Sequence, residues 1–563
     1  MRKTYQICLP ILLVCLVPAV ASAQSFRVQC PTSTITHPVK STANSNLPAD
    51  NNSEPAYTGP TGFTSTNTTN PANGYLVPSS NVNGAIKCQQ ISGGDGFATM
   101  GDGTQTYMFS FGPLSGLAAI ASGQAGTEPP SIFNTPFVAT PSARLMPGDP
   151  ATTDDPSGAG GSSIKLSAFT YNGAVGLVPD ADAIAAGTCT TPCLDGHVDP
   201  RQMLDIGVMN GNIPAPLMAI DEDDEFFLTL SNVGMIMRPD LFEQHTVHFH
   251  GYPNASAFYD GVPDASVAIN IGGSFTYYYL APDAGTYFWH CHITPPEHLQ
   301  MGMVGQLYVR PRQNRVPSIT TLYSALQTQQ TDLRTACPLS SDTTHSDILC
   351  SNPLPAVNTG AMGGGKYAYN DGDGTTAYDV EYPLQIHGFD PNFHFVGMTF
   401  NPEGFADMKD KYFLLNGRSY PDTVQSGPME TQTTDGANHF SQPLPSIINM
   451  SSGQRALLRI SDLDVTEYQT LASLGIRMHV IGYNAKLLRD QAGNNLDYYT
   501  NSITLAGGES LDVILDSCAA RAPDGSCTTP IPSGTYYLYT PNLDHLSNDA
   551  ENFGGLMTEV HIN

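Results

Sequence analysis

Gly285-Thr286-Tyr287-Phe288-Trp289-His290-Cys291-His292 is the stretch on which the reading of this chain turns. Its Thr, Tyr, Phe and Trp favour an extended strand, and Gly285 punctuates the chain before it. Successive side chains of a strand point to opposite faces, so His290 and His292 share one face and Cys291 takes the other. Upstream, His245-Thr246-Val247-His248-Phe249-His250-Gly251 follows the same logic. His248 and His250 point one way, and His245, three residues before His248, points the other. Pairing the two strands brings His245 to Cys291, and His248 and His250 to His290 and His292.

The chain holds 15 histidines, and six of them lie from His245 to His298. A lone histidine is usually structural or exposed. Six in two strand motifs, with a cysteine among them, read as metal ligands. The first site is completed by the loop Ile293-Thr294-Pro295-Pro296-Glu297-His298-Leu299-Gln300-Met301-Gly302-Met303, whose prolines stiffen it. Two imidazoles, a thiolate and a weak axial thioether make the blue-copper set, suited to electron transfer. The expected type 1 ligands are therefore His245, Cys291, His298 and Met303, with Met301 packing beside them. The second site has two His-x-His pairs, which suit copper or zinc. Cys291 sits between His290 and His292, so these three residues form a short covalent path for an electron between the sites.

Cysteine usage supports this division. Of the 11 cysteines, Cys8 and Cys15 fall in an apolar stretch that follows Arg2 and Lys3 and ends in Ala21-Ser22-Ala23. That pattern reads as a cleaved export signal over residues 1–23, giving a secreted or periplasmic protein. In an exported chain the remaining cysteines tend to pair. Cys189 with Cys193, Cys337 with Cys350, Cys518 with Cys527, and Cys30 with Cys88 are the expected bridges, leaving Cys291 over. No later segment has the apolar length needed to span a membrane. The formal net charge of −28 disfavours nucleic acid and anionic lipid as partners. The acidic run Asp221-Glu222-Asp223-Asp224-Glu225 reads as a solvated turn before the strand Phe226 to Leu230.

Gly, Pro, Thr and Asn abound and charge is sparse, which suits an all-β chain of short strands joined by turns and loops. Residues 24–103 form a Ser/Thr/Asn/Pro-rich, irregular N-terminal arm. A strand-rich domain occupies 104–313, with a loop insertion at about 115–200, and a linker spans 314–374. A second strand-rich domain occupies 375–563. The two domains read as repeats. Gly285 to His292 aligns with Gly534-Thr535-Tyr536-Tyr537-Leu538-Tyr539-Thr540-Pro541, and His248 to Gly251 aligns with His479-Val480-Ile481-Gly482.

On these residues the chain resembles the multicopper oxidases and, more broadly, the cupredoxin superfamily with its copper nitrite reductases. His245-x-x-His248-x-His250-Gly251 is similar to that family's His-Pro-x-His-x-His-Gly, and His290-Cys291-His292 through Met303 to its His-Cys-His signature. The resemblance implies two cupredoxin-like Greek-key β-barrel or sandwich domains. It also implies that His248, His250, His290 and His292 are half of a type 2/3 copper cluster. Tyr539, Thr540 and Pro541 replace the signature in the second domain, and Leu556 replaces Met303. The missing half-cluster could then come only from a neighbouring subunit of a homotrimer, with His479 and His545 as candidate donors. His387, His394 and His439 match no motif and read as structural or surface residues.

Two classes of function remain. One is a copper oxidoreductase that takes electrons from a small molecule, metal ion or redox protein at the type 1 site. It would pass them to O2 or another small acceptor, nitrite included, at the histidine site. The other is a non-enzymatic blue-copper electron-transfer or copper-binding protein with a degenerate second site.

Overall fold

The computed structural model describes residues 85–135, 171–198, 210–315 and 365–563, with short interruptions inside those ranges, and a few positions between 27 and 34. The export signal, most of the N-terminal arm, the Cys337–Cys350 pair and most of the linker lie outside the described residues.

Domain one is built from β1 (Ile86–Thr99), β2 (Gln105–Pro113), β3 (Met218–Asp221), β4 (Glu225–Gly234), β5 (His248–Phe249), β6 (Ser274–Leu280), β7 (Gly285–His290), the short helix α1 (Pro295–Gln300) and β8 (Val304–Arg310). Two four-stranded sheets result, in the orders β2-β1-β4-β6 and β3-β8-β7-β5. Alternation explains how they face each other. Phe226, Leu228 and Leu230 of β4, Phe275, Tyr277 and Tyr279 of β6, and Tyr287 and Trp289 of β7 all enter one buried core.

Domain two repeats this plan with β9 (Val380–Phe389), α2 (Pro391–Gly397), β10 (Tyr412–Leu415), β11 (Ile448–Met450), β12 (Arg455–Asp462), β13 (Gln469–Leu474), β14 (Met478–Tyr483), β15 (Ser502–Leu505), β16 (Ser510–Asp516), β17 (Gly534–Tyr539) and β18 (Met557–Ile562). Its sheets run β10-β9-β12-β16-β14, where the short strands Lys486–Leu487 and Tyr498–Thr500 also pair with β14, and β11-β18-β17-β13-β15. In domain one β1 pairs in parallel with β4, and β3 with β8. In domain two β9 pairs in parallel with β12, and β11 with β18. The all-β expectation is met. The repeat is one of topology as well as of sequence.

Two readings need correction. Residues 86–99, placed in the irregular arm, form the long strand β1 at the centre of a sheet, between β2 and β4. Its buried positions include Gln89, Gln90, Ser92 and Asp95, so its polar, glycine-rich sequence hides a strand held by neighbours on both edges. The acidic run before β4 is not solvated: Glu222, Asp224 and Glu225 are buried. Asp224 accepts from the backbone N–H groups of Ala85 and Asp221, and Glu222 from Ala284 N–H and Asn370 Nδ2. Backbone and amide donors take the place of water there.

Disulfides join Cys30 to Cys88, Cys189 to Cys193 and Cys518 to Cys527, as expected. Cys291 is buried and free.

The domains meet across the outer face of β7 and β8. Thr286 Oγ1 donates to Asp512 at 2.6 Å, and Gln306 Nε2 donates to the Arg459 carbonyl at 2.9 Å. Arg459, fully buried, is held by Glu381 at 2.7 Å, which also pairs with Arg310 at 3.0 Å. Removing one member of such a buried set leaves an uncompensated charge, which costs about 3–5 kcal/mol.

Candidate metal centre

Strand β7 has two jobs because its two faces meet different surroundings. Tyr287, Trp289 and, just past its end, Cys291 point into the domain-one core. Phe288 packs instead with Leu463 of domain two. His290 follows Phe288, so its ring lies on the domain-two side. His248 of β5 pairs directly with His290, and His245, outside β5, bridges to Ile269. The expected split of ligands follows from this register.

The first group is fully buried. The Cys291 sulfur and one ring nitrogen each from His245 and His298 lie within 4.8 Å of one another. Sγ is 3.9 Å from His245 Nδ1, and His298 Nδ1 is buried without a hydrogen-bond partner. Burial pushes the Cys291 thiol up, but the charge of His298 and the contact with His245 outweigh it and bring it down to about 5. Burial lowers His298, yet Cys291 and Glu243 raise it to about 9. A buried thiol drawn toward its thiolate form beside two imidazoles is a donor set suited to a soft or borderline metal. Met303 is wholly buried and stands against Cys291 through the Cys291 N–H to Met303 carbonyl bond of 3.0 Å. Met301 belongs to the same core cluster.

The second group brings His248, His250 and His290 within 4.8 Å of one another, with the His292 ring edge-on to that of His248 at 5.0 Å and stacked on that of His290 at 5.4 Å. The outer nitrogens of His248, His250 and His290 are already engaged. His248 Nδ1 donates to the Asp260 carbonyl at 2.7 Å and His290 Nδ1 to the Cys291 carbonyl at 2.6 Å. The Gly508 backbone hydrogen-bonds His250. His250 Nε2 and His290 Nε2 are consequently left 2.9 Å apart. Holding one ring nitrogen so that the other faces a common point is how metal-binding histidines are oriented. Burial lowers the pKa of His250 to about 4 and holds that of His290 well below its usual value, which favours the neutral, metal-binding form of both.

This group opens into a cavity of about 420 Å³ lined by His250, His290 and His292 on one side and by Asp464, Thr466, Glu467, Tyr468 and Gly508 on the other. The opposite wall belongs to domain two of the same chain. Among the described residues it offers carboxylates, the hydroxyls of Thr466 and Tyr468, and glycines, with no imidazole.

The two remaining candidates lie elsewhere. His479 is on β14, in the sheet that does not contain β17. It pairs with Asp497 at 3.1 Å and stacks on Tyr499 in a separate cavity. The strand that pairs with β17 as β5 pairs with β7 is β13, with Ala472 opposite Tyr539. Ala472 thus takes the place of His248, and the alignment of His479 with His248 is corrected. His545 is the domain-two counterpart of His298: the Leu556 N–H donates to its carbonyl as the Met303 N–H does to that of His298. Domain two therefore keeps a spent copy of the first site, with Gln469, Thr540, His545 and Leu556 where domain one has His245, Cys291, His298 and Met303. Gln469 Oε1 and Glu467 occupy the two ring nitrogens of His545, each at 3.0 Å. His387 and His394 are buried, at 1% and 7% exposure, so neither is a surface residue. The His439 side chain lies outside the described residues.

Several residues shaping the site carry no motif. Gly93 of β1 lies against the His245 ring, and Glu243 Oε2 is 3.7 Å from His298 Nε2. Asp260 and Gly508 orient imidazoles as described. The glycine pair Gly93-Gly94 inside a strand was the one signal of close approach in the sequence.

Residues 195–314 match a family model described as multicopper oxidase. Multicopper oxidase MCE of Talaromyces pinophilus is 34% identical over 122 residues, 21% of this chain and 19% of that protein. Multicopper oxidase MmcO of Mycobacterium tuberculosis is 30% identical over 133 residues, 22% of this chain and 25% of its own length. A copper-containing nitrite reductase of Rhizobium meliloti is 34% identical over 109 residues, 18% of this chain and 26% of its own length. The structure of a blue copper oxidase from Nitrosomonas europaea aligns over 63% of this chain and 78% of that one, at 20% identity and a TM-score of 0.40. The matches to the first two proteins thus span a quarter or less of those proteins' lengths. The family seen in the ligand motifs is the one these comparisons return, its cofactor is copper, and both donor groups fit that metal.

Proposed function

We propose that this chain is an exported copper oxidoreductase, secreted or periplasmic, with a type 1 centre at His245, Cys291, His298 and Met303. The second centre is formed by His248, His250, His290 and His292. The observation that carries the reading is that Cys291 belongs to the first group and is flanked in sequence by His290 and His292 of the second. Bound copper would supply one-electron transfer from a reductant at the first centre and reduction of O2 or another small acceptor at the second. The protein's own residues account for the rest. Core packing excludes water from Cys291, Asp260 and Gly508 hold His248 and His250 in place, and the cavity beside His292 admits a small acceptor. A small molecule, a metal ion or a redox protein serves as donor, and the acidic surface favours cations. The exposed Leu474 and Tyr537, opposite each other on β13 and β17, are consistent with a homotrimer, which light scattering on the purified protein tests.

A second reading has its own support. The cavity wall facing the imidazoles lacks histidine among the described residues, which suits an electron-transfer or copper-binding protein with a reduced second site. Copper per chain, with EPR and O2 uptake on phenols and on Mn(II), Fe(II) and Cu(I), separates the two. The oxidoreductase reading expects more than one copper per chain. It also expects His250→Ala and His292→Ala to lose turnover while the blue colour remains. One blue copper per chain and no turnover of any donor would overturn it.

A further inference from the structure

Gln300 is wholly buried although it sits in α1, two residues after His298 and three before Met303. Every polar group of its side chain, and its own carbonyl, is held by domain two. Gln300 Oε1 accepts from His394 Nε2 at 2.7 Å and from the Asp390 N–H at 3.2 Å. Its Nε2 donates to Asp410. The Gln300 carbonyl accepts from His387 Nε2 at 2.9 Å. The Asp390 N–H can only donate, so it fixes which end of the amide is oxygen. That in turn fixes His394 as the Nε2–H tautomer, and the carbonyl does the same for His387. His394 is itself held flat against Phe389, with ring centroids 5.2 Å apart and planes 7° apart.

Domain one packs Met301 and Met303 of the same loop into its core, and its hydrogen bonds to the loop run through the backbone. The Met303 N–H donates to the His298 carbonyl at 2.9 Å, the Met301 N–H to the Glu297 carbonyl at 3.0 Å, and the Cys291 N–H to the Met303 carbonyl at 3.0 Å. The last of these ties Met303 to the end of β7, and among the described residues no hydrogen bond from domain one reaches the Gln300 side chain. Its one buried polar side chain is Gln300, and that is gripped from domain two.

We propose that domain two clamps the type 1 ligand loop through Gln300, so that His394 and His387 are positioning residues for His298 and Met303. The proposal rests on the type 1 reading of His245, Cys291, His298 and Met303. It explains why two histidines that match no ligand motif are buried with defined donors at the domain interface. It also gives domain two, which has lost its own donor set, a part in the electron-transfer properties of domain one. Potential and spectrum of such a centre depend on how its ligands are held as well as on which ligands they are.

The test uses the full chain loaded with copper. His394→Phe keeps a ring against Phe389 but removes the N–H, Gln300→Ala removes the gripped amide, and His394→Gln restores a donor. In His394→Phe and Gln300→Ala the equilibrium constant for one-electron reduction of the blue copper should shift at least tenfold, about 59 mV. The charge-transfer band and hyperfine splitting should shift with it, and His394→Gln should recover at least half of the change. A purely structural role would lower the melting temperature and leave potential and spectrum where they were, and that result overturns the clamp. Absence of blue copper from the unaltered protein would instead indict the type 1 reading. Hydrogen exchange of residues 298–303 in the metal-free chain then decides the clamp: faster exchange in His394→Phe supports it, and unchanged exchange overturns it.

Discussion

Gly93 and His245 are in contact across the domain-one core: a β-carbon on Gly93 would stand 2.5 Å from His245 Cδ2. A strand read from composition as part of a loose arm therefore backs one imidazole of the first metal group. Gly93→Ala should destabilise the fold by about 1–3 kcal/mol, the usual range for overpacking a core. It should also weaken type 1 copper binding more than binding at the second group. Copper titrations followed at the charge-transfer band, alongside denaturant unfolding, check both.

Cys291 is the free cysteine among the described residues, and two imidazoles pull its thiol down despite burial. Cys291→Ser should abolish the intense visible absorption while the metal-free protein stays folded, at a cost of about 1–3 kcal/mol if the hydroxyl finds no partner. Survival of the colour, or a disulfide to Cys291 in thiol mapping, would remove it from the site.

The eroded site of domain two makes a constructive prediction. His545 is still placed as His298 is, with Gln469 Oε1 on its Nδ1 where His245 would stand. Gln469→His with Thr540→Cys should install a second thiolate-copper band, and adding Leu556→Met should make its spectrum more like that of the first. Copper content should rise by one per chain. No second band would mean that the domain-two scaffold has moved too far to hold the metal.

Asp410 supplies a test by pH. Burial raises the pKa of its carboxyl, and the neighbouring Asp464 raises it further. The folded pKa thus lies above the unfolded value of about 4, and above that pH the folded state holds the extra proton. Stability contributed by the protonated form is complete below about pH 4 and is lost as pH rises, by up to about 1.4 kcal/mol per unit. Asp410→Asn keeps a neutral side chain and should flatten that slope. Urea midpoints from pH 5 to 8 that fall equally in both proteins would show that Asp410 does not carry the effect.

The two groups of side chains were legible because strand alternation and His/Cys spacing are local properties, and those rules bring His245, Cys291 and His298 together and the two His-x-His pairs together. What escaped was set by distant chain. β1 hides because Gln89, Gln90, Ser92 and Asp95 are buried beside strands far away in sequence, so its polar composition misleads. His479 was matched to His248 because both carry imidazole, whereas the ladder equates His248 with Ala472, from which every trace of a ligand has gone. The grip on Gln300 comes from residues of another domain and has no spacing to announce it.

The one-residue pitch of β7 also constrains how this protein can change. Tyr287, Trp289 and Cys291 face one way and Phe288 and His290 the other, so a single inserted or deleted residue would exchange both faces at once. Both metal groups would lose their donors in one step, and the aromatic core would turn outward. Gly534 to Pro541 matches Gly285 to His292 residue for residue in length, and its strand keeps the same pairing with its neighbour. Domain two differs from domain one at the donor positions by substitution at constant register, a change that spares the fold.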